Sequence, residues 1–167
     1  MELYLVRHAI AADRDPERWP GDRDRPLTAT GISKFRAAAR GLARIVPEVD
    51  AVWASPLRRA WHTAEILKTE AGWPAPVECA ALEPNASAMD VLERVRARAR
   101  VERLALVGHA PGLDEIGSLA LCGGTANPFF ELRKGGAACV TFDAELAPGA
   151  GSLVWLLAPK LMRALDW

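Results

Sequence analysis

The sequence predicts an α/β fold with a mostly parallel central sheet, helices on both faces and an antiparallel edge hairpin. Three observations carry that prediction. Leu3-Tyr4-Leu5-Val6 and Leu104-Ala105-Leu106-Val107 are unbroken apolar runs of strand length, as expected of strands covered by helices on both faces. Around them, segments with apolar residues at helical spacing alternate with short strand-like runs, the pattern of βα units. Near the carboxyl end, 137–142 and 153–157 are two further strand-like runs, joined through Pro148-Gly149-Ala150-Gly151 and expected to pair antiparallel.

Composition bounds the rest. A chain of 167 residues, 50% hydrophobic and 25% charged, can build one sizeable core, so a single domain over 1–167 is expected. Lys and Arg number 21 and so do Asp and Glu. No net field therefore draws the protein to nucleic acid or to an anionic membrane, and any anion site has to be assembled locally. The amino terminus has no basic stretch leading into a long apolar run, and nothing approaches the ~18 apolar residues of a membrane span. A soluble, cytoplasmic protein is expected. Cys79, Cys122 and Cys139 are far apart, with no Cys-x-x-Cys pair, and read as free, mostly buried thiols.

In chain order, the first strand covers 3–6, and Arg7 and His8 follow it at once. Ligands of open α/β sheets bind beyond the carboxyl ends of the strands, which is where this pair stands. The stretch 10–26 is a loop by composition, rich in Asp, Glu and Arg around Pro16, Pro20 and Gly21. It is longer than a connection requires, and Arg25 is a candidate to point inward. Thr28 is placed to cap a helix whose Ile32, Phe35, Ala39, Leu42 and Val46 share one face, with Pro47 as its stop. A strand over 51–54 follows. Ser55-Pro56 then predicts a helix over 56–71, Ser as N-cap and Pro at the first position, ending at Gly72. Arg59 and Thr63, four apart, share a face near its amino end. Cations there are mildly unfavourable, so an arginine needs either solvent or an anion to explain it.

A third strand is expected over 77–81, a turn at Glu83-Pro84-Asn85, and a helix through Val91, Leu92, Val95 and Ala99 with Ser87 and Asp90 as a capping box. Its Arg94, Arg96, Arg98, Arg100 and Arg103 do not form one stripe, which fits a solvated face and excludes a nucleic-acid role. The strand over 104–107 ends in Gly108-His109-Ala110-Pro111-Gly112, so a second histidine stands just past a buried strand. A helix over 113–121, a break at Gly123-Gly124, core packing by Phe129-Phe130 and a short helix over 160–165 complete the chain.

Strand ends and helix starts thus collect Arg7, His8, Arg59 and His109, with Arg25 from the loop. Guanidinium groups bind phosphate through paired N–H donors, and several around one point neutralise a phosphoryl group in transfer. One histidine could attack phosphorus while the other stabilises an oxygen. The phosphate-binding Gly-x-x-x-x-Gly-Lys loop, the dinucleotide Gly-x-Gly-x-x-Gly, the Gly-x-Ser-x-Gly elbow and His-Glu-x-x-His are all missing. A zinc site from His8, His62 and His109 is disfavoured by its arginine neighbours, and no metal or cofactor is expected.

Leu-Val-Arg-His-Ala at 5–9, Arg-Pro-Leu-Thr-x-x-Gly at 25–31, Ser-Pro-Leu-Arg-Arg-Ala-x-x-Thr-Ala at 55–64 and Val-Gly-His-Ala-Pro-Gly-Leu at 107–113 resemble, in order and spacing, the motifs of the histidine phosphatase superfamily. With Leu-Arg-Lys-Gly-Gly-Ala at 132–137, the chain is most similar to the SixA-type phosphohistidine phosphatases over nearly its whole length. The resemblance implies the phosphoglycerate mutase-like fold. It implies His8 as a nucleophile that is transiently phosphorylated, with Arg7, Arg59 and His109 completing a phosphate pocket and Arg25 helping to hold phosphate. Arg59, not Arg58, falls on the family's arginine.

Two positions depart from the superfamily pattern. Ala9 stands where most members have Gly, as SixA-like members often do, so the backbone there must avoid conformations that favour Gly. His62 replaces the usual Gln and reads as a partly exposed helix residue. Many superfamily enzymes resemble one another in having a carboxylic acid that protonates an alkoxide leaving group; here Glu83 is the candidate, and the reading goes against it. A leaving imidazole, with a pKa of about 6.5, needs far less help. The expected substrate is therefore phosphohistidine in a phosphorylated protein. The alternatives are a small phosphorylated metabolite, or a non-catalytic module that binds phosphate or a phosphoprotein.

Overall fold

The computed structural model describes residues 1–98, 101–124 and 131–167, so the expectations for Ala99, Arg100, Phe129 and Phe130 lie outside the described residues. Alternation of side chains along the central strands decides the layering. In β1 (Glu2–Arg7), Tyr4 and Val6 enter one core and Leu3 and Leu5 the other. In β4 (Arg103–Gly108), Ala105 and Val107 join the first core and Leu104 and Leu106 the second. Full burial of a Leu or Val contributes roughly 1.5–3 kcal/mol, so both faces of these strands need cover. The first core is closed by α1 (Ala29–Ile45), α2 (Arg58–Ala71) and Met162 of α5 (Pro159–Ala164), the second by α3 (Ala88–Arg96) and α4 (Gly112–Cys122).

With β2 (Ala51–Ala54), β3 (Val77–Glu78), β5 (Ala137–Thr141) and β6 (Ser152–Leu157), the sheet has the order β3-β2-β4-β1-β5-β6. The first four in that order are parallel, and β5 and β6 are added antiparallel, as the apolar runs predict. Thr28 caps α1 by accepting from the Gly31 N–H at 2.9 Å, and α2 ends at left-handed Gly72. No helix among the described residues is long and apolar enough to cross a membrane.

Several local expectations are corrected. β3 stops at Glu78 because its partner strand stops at Ala54: after the Cys79 N–H reaches the Ala54 carbonyl at 2.8 Å, the chain turns into a 3₁₀ segment at Ala80–Leu82. α2 starts at Arg58, two residues later than the Ser-Pro signal predicts, and Ser55 serves a different purpose, described below. Arg103 lies on β4 and pairs with Glu48 and Asp50. Of the three free cysteines Cys139 alone is buried, while Cys79 is half-buried and Cys122 exposed.

Candidate active site

The two strands that carry histidines are parallel neighbours in register, Arg7 opposite Gly108, so their carboxyl ends coincide. The His8 N–H donates to the Gly108 carbonyl at 3.0 Å, and the His8 and His109 rings come within 5.1 Å centroid to centroid. Adjacent strands thus bring together residues separated by about a hundred positions in sequence.

His8 is buried, with 6% of its surface exposed. Its Nδ1 lies 2.7 Å from the Ala9 carbonyl, which can only accept; Nδ1 therefore carries the hydrogen and Nε2 keeps its lone pair. The backbone beneath it is pinned from three sides. The Ala9 N–H donates to Thr63 Oγ1 at 3.0 Å, Thr63 in turn donates to the Arg59 carbonyl at 2.7 Å, and the Gly135 N–H reaches the His8 carbonyl at 2.9 Å. Ala9 is not among the residues with positive φ, which explains why a Cβ is tolerated there. Gly31 of the second motif has a steric reason instead: a Cβ would stand 2.1 Å from the carbonyl oxygen of Ile10, where the chain leaving His8 crosses α1.

Three arginines converge on the same edge of the sheet. Arg7 Nη1 donates to the Leu132 carbonyl at 2.5 Å, and the Leu132 N–H is held at 2.9 Å by the buried Asp114 carboxylate. Burial raises the Asp114 pKa, opposed by that N–H and by Arg7. Arg59, 2% exposed, donates from Nη1 to the Asp22 carbonyl at 2.9 Å and faces Asp22 Oδ2 from Nη2 at 3.0 Å. Arg25, from the charged loop, is buried as expected; its Nε donates to Asp22 Oδ1 and its Nη1 to the Ala12 carbonyl at 2.8 Å. Burial foremost, then the Arg59, Arg7 and Arg25 charges, push the His8 pKa down to about 3 against the pull of the Ala9 carbonyl. Burial, His8 and Arg59 push His109 down to about 2. Both imidazoles are neutral at pH 7.

Buried polar atoms are almost always hydrogen-bonded. Among the described residues three buried side-chain polar atoms have no partner: Arg7 Nε, Arg59 Nε and His109 Nδ1. All three belong to residues lining one cavity of about 330 Å³, with His8, Arg25, Asp13, Arg14 and Lys134 also on its walls. Ser55 Oγ sits 2.9 Å from His109 Nε2 and fixes the ring's orientation. In the tautomer in which Ser55 donates to Nε2, Nδ1 carries the hydrogen and is a third unpaired donor. Such an arrangement can hold a multiply charged oxyanion beside a neutral imidazole nitrogen with a free lone pair.

An uncharacterised protein of Picosynechococcus sp. is 38% identical to the chain over 139 residues, 81% of this chain and 82% of that protein. Residues 3–85 match the family described as histidine phosphatase superfamily (branch 1). The chain belongs to the histidine phosphatase superfamily. Within the superfamily it falls in the SixA-type branch: the structure of the protein histidine phosphatase SixA complexed with tungstate matches it with a TM-score of 0.84 at 25% identity, covering 97% of this chain and 99% of that one. The alpha-ribazole phosphatase from Shigella flexneri shares the fold, with a TM-score of 0.75 at 16% identity over 95% of this chain and 97% of that one.

Against the superfamily's motifs, every residue expected at the pocket lines the cavity: Arg7, His8, Arg25, Arg59 and His109. Glu83 does not. Its Oε2 accepts from Arg23 Nη1 at 3.0 Å, and it lines a neighbouring cleft of about 470 Å³ with Trp19, Leu57, Pro16 and Asp22. Arg14 and Pro84 line both spaces, which makes them adjacent. His62 lies half-buried on α2 outside the cavity wall, and Arg58 is exposed. Sequence reasoning missed Asp13, Arg14 and Lys134 on the wall, Ser55 behind His109, and Asp22 between two arginines. Ser55 carried a signal, its place in the third motif, but a serine before a proline at a helix start reads first as a cap. Lys134 carried one as well, its place in the Leu-Arg-Lys-Gly-Gly-Ala stretch at 132–137, whereas Asp13, Arg14 and Asp22 carried none beyond charge.

Proposed function

We propose that this phosphatase removes the phosphoryl group from phosphohistidine in a protein, through a covalent intermediate on His8. The observation that carries the reading is the set of three unpartnered buried polar atoms, Arg7 Nε, Arg59 Nε and His109 Nδ1, on residues that line one cavity with His8. A phosphoryl group is the ligand class that matches them: its oxygens accept from both arginine Nε–H groups and, in the Nδ1–H tautomer, from His109, and Arg25 adds charge. His8 Nε2 attacks phosphorus in line. The new N–P bond forms as the substrate's own N–P bond breaks, and the substrate ring, protonated beforehand on its other nitrogen, leaves with the electron pair as neutral imidazole. Water then attacks the phosphorylated His8, releasing inorganic phosphate and restoring the neutral ring. The arginines and His109 spread the charge of the transferring group in a site where burial strengthens each contact.

The choice of phosphohistidine rests on the leaving group. Glu83 lies off the cavity wall and pairs with Arg23; an alkoxide would need such an acid to depart, whereas an imidazole, whose conjugate acid has a pKa of about 6.5, does not. The cleft beside the cavity, with Trp19, Pro16 and Leu57, offers room for the rest of a phosphorylated protein segment. Three free cysteines and balanced charge fit a reducing, cytoplasmic setting.

A second reading, hydrolysis of a small phosphate ester, is favoured by one observation: Asp13 is a carboxylate on the cavity wall. A side-by-side assay of a phosphohistidine peptide and a panel of phosphate esters separates the two. The first reading expects the peptide to be preferred, with Asp13→Asn harmless, and acid-labile phosphate trapped on wild type but not on His8→Ala. Preference for an ester, lost in Asp13→Asn, supports the second. Turnover by His8→Ala would refute the intermediate.

A further inference from the structure

Two buried guanidinium groups of like charge need a reason to share one wall. Arg25 and Arg59 are 7% and 2% exposed, and the group between them is Asp22. Its carboxylate takes Arg25 Nε on Oδ1, and Arg25 Nη2 on Oδ2 at 3.3 Å. The same Oδ2 faces Arg59 Nη2 at 3.0 Å, while the Asp22 backbone carbonyl accepts from Arg59 Nη1 at 2.9 Å. Asp22 thus grips Arg59 with main chain and side chain together. Its backbone adopts the left-handed region, φ 62°, directly after Gly21 at φ 73°. Asp enters that region more readily than most residues, and at a mild cost.

We infer that Asp22 is a positioning residue of the phosphate pocket: it occupies one edge of Arg25 and of Arg59 and leaves their remaining N–H groups, including the unpartnered Arg59 Nε, for the substrate's oxyanion. The inference rests on reading the cavity as that pocket. A guanidinium has five N–H donors in a rigid fork, so fixing two of them orients the other three. Asp22 also supplies the compensating charge. Burial and Arg25 lower the Arg59 pKa to about 10, and Asp22 works against both. Burial raises the Asp22 pKa, but the Arg25 hydrogen bond and the Arg59, Arg25 and Arg14 charges prevail, and it stays ionised at pH 7. The opposite role, an internal anion competing with phosphate, predicts the opposite sign on removal.

Calorimetric titration of tungstate and of inorganic phosphate into the full chain decides, on wild type, Asp22→Ala, Asp22→Asn and Asp24→Asn, with kcat and KM for a phosphohistidine peptide measured on each. Asp22→Ala is expected to weaken oxyanion binding and raise KM at least tenfold, with kcat changed less than threefold. Asp22→Asn keeps an acceptor without the charge and should recover part of the loss, while Asp24→Asn, an exposed neighbour, should match wild type. Wild-type affinity or tighter binding in a folded Asp22→Ala overturns the inference, and if that variant does not fold, the same result in Asp22→Asn does so. Failure of wild type to bind either oxyanion would instead sink the reading of the cavity, and the inference with it.

Discussion

Acidification from pH 7 to pH 5 should destabilise the wild-type protein by about 2 kcal/mol more than it destabilises His8→Gln. In the unfolded chain an imidazole takes a proton near pH 6.5, whereas in the fold burial and three arginines hold His8 near 3. Between those values the unfolded state binds a proton that the native state refuses. Stability from this group is therefore complete above pH 6.5 and is lost as pH falls through the window down to about 3. At pH 5 the unfolded ring is about 1.5 pH units below its pKa, which at 1.36 kcal/mol per unit gives about 2 kcal/mol. Urea unfolding followed by tryptophan fluorescence, at both pH values on both proteins, gives the difference directly, since titrations common to the two cancel. Parallel pH dependence would refute the reasoning, because it would mean that His8 accepts a proton equally well folded and unfolded. An independent check comes from NMR. The His8 and His109 ring resonances should stay put between pH 8 and pH 5, since both groups are neutral throughout.

Two further outcomes follow from contacts around the site. Gly31→Ala, at a helical position where alanine normally helps, should destabilise the protein by about 1–3 kcal/mol in urea unfolding and lower activity, because the added carbon stands 2.1 Å from the Ile10 carbonyl oxygen. Ser55→Ala should leave the fold intact yet lower kcat about tenfold in steady-state assays, since His109 loses the 2.9 Å contact that fixes its ring; an unchanged kcat would remove Ser55 from the site.

What the sequence made legible depended on where each residue sits relative to a strand end. Arg7, His8 and His109 follow continuous apolar runs that can only be central strands, so the fold alone delivers them to one edge. Arg59 needed the register of the third motif, because a neighbouring arginine at 58 has the same local chemistry and faces solvent. The third strand was overestimated because local propensity cannot see that its partner ends at Ala54. Asp22 was lost among the loop charges, since its partners are three and thirty-seven positions away and only the left-handed turn presents both its oxygens and its carbonyl to them. Asp114 was invisible for a similar reason: it works through the Leu132 main chain, eighteen residues on.

The charged loop is closed at its neck. Ala11 bridges Leu27 antiparallel, and the Ala12 N–H meets the Pro26 carbonyl at 2.9 Å, so the chain leaves and rejoins the body at one point. A loop whose ends are pinned together can change length or composition at small entropic cost without disturbing what it is anchored to. The segment over 13–25 is in that sense an exchangeable cassette. On the proposed function, a graft that retains Arg14, Asp22 and Arg25 in their spacing should keep the phosphate pocket while exchanging Trp19 and the other side chains that line only the neighbouring cleft. One peptide segment thus carries both a pocket arginine and part of the lining of the cleft beside it.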